Sequence, residues 1–184
     1  MKFLTAYATT EGQTQKIARF CADQLTDSGH SVELLNLADD GEIDILRFDA
    51  VILAGSIHIG HYQKSLENFV TANLRDLNQR NTLFLSVSLA AAGHEEEDRM
   101  GLEHCIDVFA KATGWVPNRI EHIAGAFRFT SYDFFRYWAM RWIASQKEDE
   151  PVDPHKDKEY TDWDGLAAML EDWSSGVQQQ GSQA

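Results

Sequence analysis

The chain has 184 residues, 43% of them apolar, which suffices for one good core and argues against two domains of similar size. Its formal net charge of −13 excludes a general nucleic-acid binder, since phosphate contacts need a cationic surface. Cys21 and Cys105 are too few and too far apart for a disulfide framework or a metal motif, and read as reduced core residues of a cytosolic protein.

Met1-Lys2-Phe3-Leu4-Thr5 runs straight into a strand with no apolar leader, and no stretch approaches the length of a transmembrane helix, so a protein that does not span a membrane is expected. That strand, Lys2–Tyr7, hands over to a helix from Thr14 to about Ser28, with Ile17, Cys21 and Leu25 on its apolar stripe and Gly29 at its end. Between them lies Thr9-Thr10-Glu11-Gly12-Gln13-Thr14. The hydroxyls and N–H groups of a turn entering a helix converge on one spot that favours an anion. The stretch has neither the lysine of a Walker turn nor the three glycines of a dinucleotide turn, so a single monophosphate, as in FMN, fits better than a nucleoside triphosphate or NAD. The turn by itself equally allows an ordinary Thr-rich connection with Thr14 as the helix cap.

Ser31–Leu37 is a second strand, and Ala50–Ala54 a short buried third. The loop that follows, Gly55-Ser56-Ile57-His58-Ile59-Gly60-His61-Tyr62, has glycines for close backbone approach and flat side chains for stacking. His58 and His61 have no third ligand nearby, so flavin packing or loop hydrogen bonding is favoured over a metal, and no metal is expected. Ser65–Leu77 gives a helix with Leu66, Phe69, Val70, Leu74 and Leu77 on one side, and Thr82–Leu89 a fourth strand. Ser88, Leu89 and Ala90 open a loop of small residues running to Gly93, and an acidic stretch from Glu95 to Asp98 reads as a solvated face. Leu102, Cys105, Ile106, Phe109 and Ala110 mark the next helix, closed near Gly114, before a fifth strand over Arg119–Ala126. A final helix, entered through Thr161, carries Trp163, Leu166, Ala167 and Leu170. Strands alternating with crossover helices imply a doubly wound parallel sheet covered on both faces, with its ligand beyond the C-terminal ends of the strands. Three loops should meet there: Thr9–Thr14, the loop from Ser56 to Tyr62, and the one that starts at Ser88.

Phe127 to about His155 breaks this rhythm as an insertion after or within the fifth strand. Residues 127–147 carry four basic side chains and one acidic, against two and ten over residues 148–184. Phe135, Trp138, Ala139, Trp142 and Ile143 fall on one helical stripe, with Arg128, Arg136, Arg141 and Lys147 as cations. Such a helix either docks on its own domain or a second copy, giving a homo-oligomer, or meets a large apolar anionic ligand or an anionic membrane. Residues 1–176 are thus expected to form a single domain with this insertion at about 127–155, and residues 177–184 a flexible tail.

With Thr9–Thr14, the segment Ala54-Gly55-Ser56-Ile57-His58-Ile59-Gly60-His61-Tyr62, then Ala124-Gly125-Ala126-Phe127-Arg128-Phe129 and Tyr160-Thr161-Asp162-Trp163 in order, the chain resembles the flavodoxin-like, quinone-dependent protoporphyrinogen IX dehydrogenases. The resemblance covers almost the whole chain. It implies a flavodoxin-like five-stranded sheet of order 2-1-3-4-5 holding FMN, with electrons taken from protoporphyrinogen IX in haem biosynthesis and passed to a membrane quinone. It implies a cytoplasmic enzyme with room for a peripheral contact on the inner face of the cell membrane. By position, Thr9, Thr10, Glu11, Gly12, Gln13 and Thr14 would hold the FMN phosphate. Ser56, Ile57, His58, Gly60, His61 and Tyr62, with Ser88, Leu89 and Ala90, would frame the isoalloxazine. Arg128, Tyr132, Arg136, Trp138 and Arg141 are the candidates for substrate contact, the guanidinium forks matching the substrate's propionates. A flavodoxin-type electron carrier, or another flavodoxin-like quinone reductase, would share the FMN site without needing the aromatic insertion.

Overall fold

The computed structural model describes residues 1–39, 42–93, 96–127 and 158–181. Its elements are β1 (Lys2–Ala8), α1 (Gln13–Asp27), β2 (Ser31–Asn36), β3 (Ala50–Ser56), α2 (Lys64–Leu77), β4 (Asn81–Ser88), α3 (Glu96–Thr113), β5 (Arg119–Ala124), β6 (Ala126–Phe127), β7 (Lys158–Glu159) and α4 (Trp163–Gly181). Single turns of 3₁₀ helix lie at Ile45–Arg47 and Ala90–Ala92. Strands β1 to β5 pair in parallel in the order β2-β1-β3-β4-β5, as the motifs imply. The order reverses between β1 and β3, where Ala8 stands opposite Gly55, and Ser56 in turn stands opposite Val87 of β4. That register brings the ends of the three predicted loops together at one edge of the sheet.

A sheet covered on both faces needs strands that are apolar throughout, and β1, β3 and β4 are buried along nearly their whole length. On one face Phe3 and Tyr7 of β1 pack with Ile17, Cys21 and Leu25 of α1 and Leu166, Leu170, Trp173 and Val177 of α4. On the other, Leu4 and Ala6 pack with Leu66, Val70 and Leu77 of α2 and Cys105 and Phe109 of α3. Here Phe84, Phe109 and the fully buried Trp115 make edge-to-face and stacked contacts with centroids 5.4–6.4 Å apart. Both cysteines are buried and unpaired. Burial pushes the Cys21 thiol up to about 12, well away from a reactive thiolate.

Three boundaries differ from the sequence expectation. Helix α1 starts at Gln13 behind a left-handed Gly12 (φ 90°), so Thr14 lies inside its first turn and does not cap it. The fifth strand ends at Ala124, because Gly125 donates to Ser88 O and accepts from Tyr160 N. The chain then leaves the main sheet, and Ala126–Phe127 pairs antiparallel with Lys158–Glu159. Helix α4 runs past residue 177, where a flexible tail is expected. Trp173 and Val177 continue the i,i+4 stripe of Leu166 and Leu170, and Val177 is only 4% exposed. The aromatic helix expected around Phe135 to Ile143 lies outside the described residues, as does the start of the acidic stretch at Glu95.

Candidate functional site

At the end of β1 the Thr9 hydroxyl accepts the Gly12 N–H at 2.9 Å, folding the turn back onto the start of α1. No side chain caps α1 and no acidic side chain stands in its first turn, so no cap within the helix start holds its leading amides. Thr14 Oγ1 is buried at that same turn and makes no hydrogen bond. The space around Gly12 is open, a Cβ there meeting nothing within 4 Å. Gln13, expected to face the phosphate, turns away: its Nε2 donates to Thr161 Oγ1 at 3.0 Å, and that hydroxyl donates to Ala124 O at 2.7 Å. Gln13 is therefore a strut between α1 and the approach to α4. Lys16 is likewise engaged, on Glu159 at 2.6 Å.

The second loop continues the sheet for one more residue, with Ile57 N–H on Val87 O at 2.9 Å. His58 and His61 then exchange both backbone hydrogen bonds around Ile59 (φ 51°) and Gly60 (φ 78°), a tight turn of the I′ kind. Glycine suits such a turn; a β-branched residue at positive φ is strained, yet Ile59 sits there with 62% of its surface exposed. Tyr62 departs from expectation. Its ring is buried against Phe84 and Phe109, and its hydroxyl meets Ser86 Oγ at 2.8 Å, so it braces the loop from below and has no free face for a flavin. Gly55 also serves packing, since a Cβ there would lie 2.5 Å from Leu66 Cδ2 and 3.2 Å from the Tyr62 ring.

The third loop is a single turn held by its own residues. Ser88 Oγ accepts Ala91 N–H at 3.1 Å, and Gly93 N–H returns to Ala90 O. Leu89 and Ala90 are half-buried beside it. One residue absent from the sequence expectation joins the first two loops: Gln63, at the start of α2, donates through Nε2 to both Thr10 Oγ1 and Ser56 Oγ. No motif marks it, because its role depends on β1 and β3 being neighbours. Among the described residues no group of three or more His, Cys, Asp or Glu could hold a metal ion. The candidates Arg128, Tyr132, Arg136, Trp138 and Arg141 lie outside the described residues.

Residues 4–153 match the model of the flavodoxin domain family. The chain belongs to the flavodoxin domain family. The curated relatives carry the narrower kinship. Protoporphyrinogen IX dehydrogenase [quinone] of Escherichia coli K12 is 30% identical over 167 residues, 91% of each chain. The protein of the same name from Leishmania major is 26% identical over 175 residues, 95% of this chain and 75% of that one. The resemblance read from the motifs is thus borne out. Solved flavodoxins share the fold of this flavodoxin-domain chain: one associated with a PDU bacterial microcompartment has a TM-score of 0.58 at 15% identity, covering 96% of this chain and 99% of its own. The flavodoxin of Streptococcus pneumoniae TIGR4 has a TM-score of 0.56, also at 15% identity, covering 96% and 99%. FMN is the cofactor that goes with this family, and the site fits it. The uncapped helix start, the orphaned Thr14 hydroxyl and the open space at Gly12 are what a bound phosphate would use.

Proposed function

We propose that the protein oxidises protoporphyrinogen IX to protoporphyrin IX with FMN as cofactor and a membrane quinone as electron acceptor, in haem biosynthesis. The observation that carries this reading is the 30% identity, over 91% of both chains, to the Escherichia coli protein of that name. FMN supplies the electron-transfer chemistry when bound; the chain's own residues hold it and exclude side reactions. Thr14 and the first amides of α1 would donate to its phosphate, with Thr9 shaping the turn and Gln63 holding Thr10 against Ser56. The His58–His61 turn and the Ala90–Ala92 turn form the walls of the crevice at the reversal of strand order, and Tyr62 fixes one wall through Ser86. Arg128, Arg136 and Arg141, with Tyr132 and Trp138, are assigned to the substrate's propionates and apolar ring. The cell-side location is the cytoplasm, with peripheral contact at the inner face of the membrane; among the described residues no helix is long and apolar enough to cross it.

The test is anaerobic mixing of the FMN-loaded protein with protoporphyrinogen IX, then with a soluble quinone. Bleaching of the flavin followed by return of its colour supports the reading. Rapid bleaching by NADH or NADPH with no response to porphyrinogen points instead to another flavodoxin-like quinone reductase.

A further inference from the structure

A groove of about 460 Å³ opens between the Ala90–Ala92 turn, the first turns of α3 and the edge strand β5. That volume is in the range of small-molecule sites, roughly 300–1,000 Å³. Ala90, Ala91 and Leu102 give it an apolar wall, while Arg99 and His122 bring nitrogen donors to it and Glu96 stands at its side. Ala90 belongs both to this groove and to the loop assigned to the flavin, so an occupant would be one thin wall away from the cofactor crevice. On the reading above, we propose that the groove seats the ring of the quinone acceptor, with His122 and Arg99 hydrogen-bonding its carbonyl oxygens.

Charge chooses between the two redox partners. Helix α3 opens with Glu96, Glu97 and Asp98, Arg99 leans on Glu96 at 3.5 Å, and Glu103 and Glu121 act electrostatically on His122. The two propionates of a porphyrinogen would meet like charge here, whereas an uncharged planar quinone would not. A quinone asks of its site an apolar wall and a few donors, and this groove has both. Desolvation lowers the His122 pKa against the opposing pull of Glu121 and Glu103.

The test uses the FMN-loaded protein and menadione as the soluble probe. Menadione is titrated into the oxidised protein while the histidine ring resonances are followed, with His122→Gln identifying the His122 signals. A saturable shift at His122 supports the proposal, and no shift there at concentrations that reoxidise the flavin overturns it. In turnover, His122→Leu and Arg99→Leu should each raise the KM for menadione roughly threefold to tenfold, the loss of about one hydrogen bond. Bleaching of the flavin by porphyrinogen, which needs no quinone, is the internal reference. A menadione KM that stays at the wild-type value in both folded variants overturns the proposal. So does a weakened FMN Kd in Arg99→Leu, which would make the groove part of the cofactor crevice. If porphyrinogen fails to bleach the wild-type flavin, the proposed substrate falls, and the His122 shift with menadione still decides the groove.

Discussion

A buried hydroxyl with no partner costs a folded protein about 1–3 kcal/mol, and Thr14 carries that cost in the first turn of α1. Among the described residues the other buried threonine hydroxyl without a partner, on Thr5, sits at mid-strand in β1, whereas Thr14 stands where a helix start has uncapped amides. Thr14→Val should therefore act oppositely on the two forms of the protein. FMN affinity, measured by quenching of flavin fluorescence, should fall by about 1.5–3 kcal/mol, the worth of a hydrogen bond to a charged group. The thermal midpoint of the apoprotein should hold or rise, because the variant removes an unsatisfied group. A lower apoprotein midpoint with unchanged FMN affinity would assign the hydroxyl to internal packing. Ile59 carries a similar tension: its positive φ costs about 1–3 kcal/mol. Ile59→Gly should raise stability against urea by about 1 kcal/mol once the extra chain entropy of glycine is subtracted. A loss of FMN affinity in the same variant would show what the strain is retained for. The Thr-rich turn was legible in the sequence because its chemistry is local. Tyr62 was not, because the residue that draws its hydroxyl inward is Ser86, 24 positions away on a neighbouring strand.

At the scale of elements, α1 is fastened to the chain entering α4 by two bridges: Gln13 through Thr161 to Ala124, and Lys16 through Glu159, which also accepts the Trp163 indole N–H at 2.7 Å. The Lys16 ammonium lies 5.0 Å from the centre of the Trp163 ring, completing a small cluster. Hydrogen bonding from Lys16 leads the forces that hold the Glu159 pKa below the ordinary carboxylate value of 4.5. A carboxylate depressed in the folded state adds stability above its unfolded pKa and loses it as pH falls through the folded one. Wild type should thus exceed Glu159→Gln in unfolding free energy at neutral pH, by a modest margin for so exposed a pair. The difference should vanish on acidification below the carboxylate range. A gap that persists unchanged in acid would mean that packing of the side chain, not its charge, matters. Helix and strand identities followed from periodicity, since α1, α2 and α4 each bury a plain i,i+4 stripe. Their ends did not, because Gly125 closing on Ser88 and Val177 joining the core on the β1 and α1 face are settled between elements distant in sequence.

In the whole molecule the five parallel strands and the helices packed on both faces of their sheet lie within the described residues, which leave out the long segment between β6 and β7. Its two ends are brought side by side, since Phe127 and Lys158 are partners in an antiparallel pair. Such a pair can be closed by a two-residue Asn-Gly turn, whose backbone twist matches that of antiparallel strands. Replacing residues 128–157 by Asn-Gly should therefore give a folded, yellow protein. Its FMN affinity should lie near the wild-type value, because Thr9, Thr14, Ser56, Gln63 and Ala90 are all retained. Oxidation of protoporphyrinogen IX should be lost, since the arginines and tryptophans assigned to the substrate go with the segment. Reduction by dithionite and reoxidation by menadione should survive, as both depend on the flavin crevice and the groove at β5 alone. Far-UV circular dichroism, flavin titration and the two half-reactions measured separately check each part. A variant that cannot fold would make the segment part of the core, and one that still oxidises porphyrinogen would move the substrate site onto the flavodoxin scaffold itself.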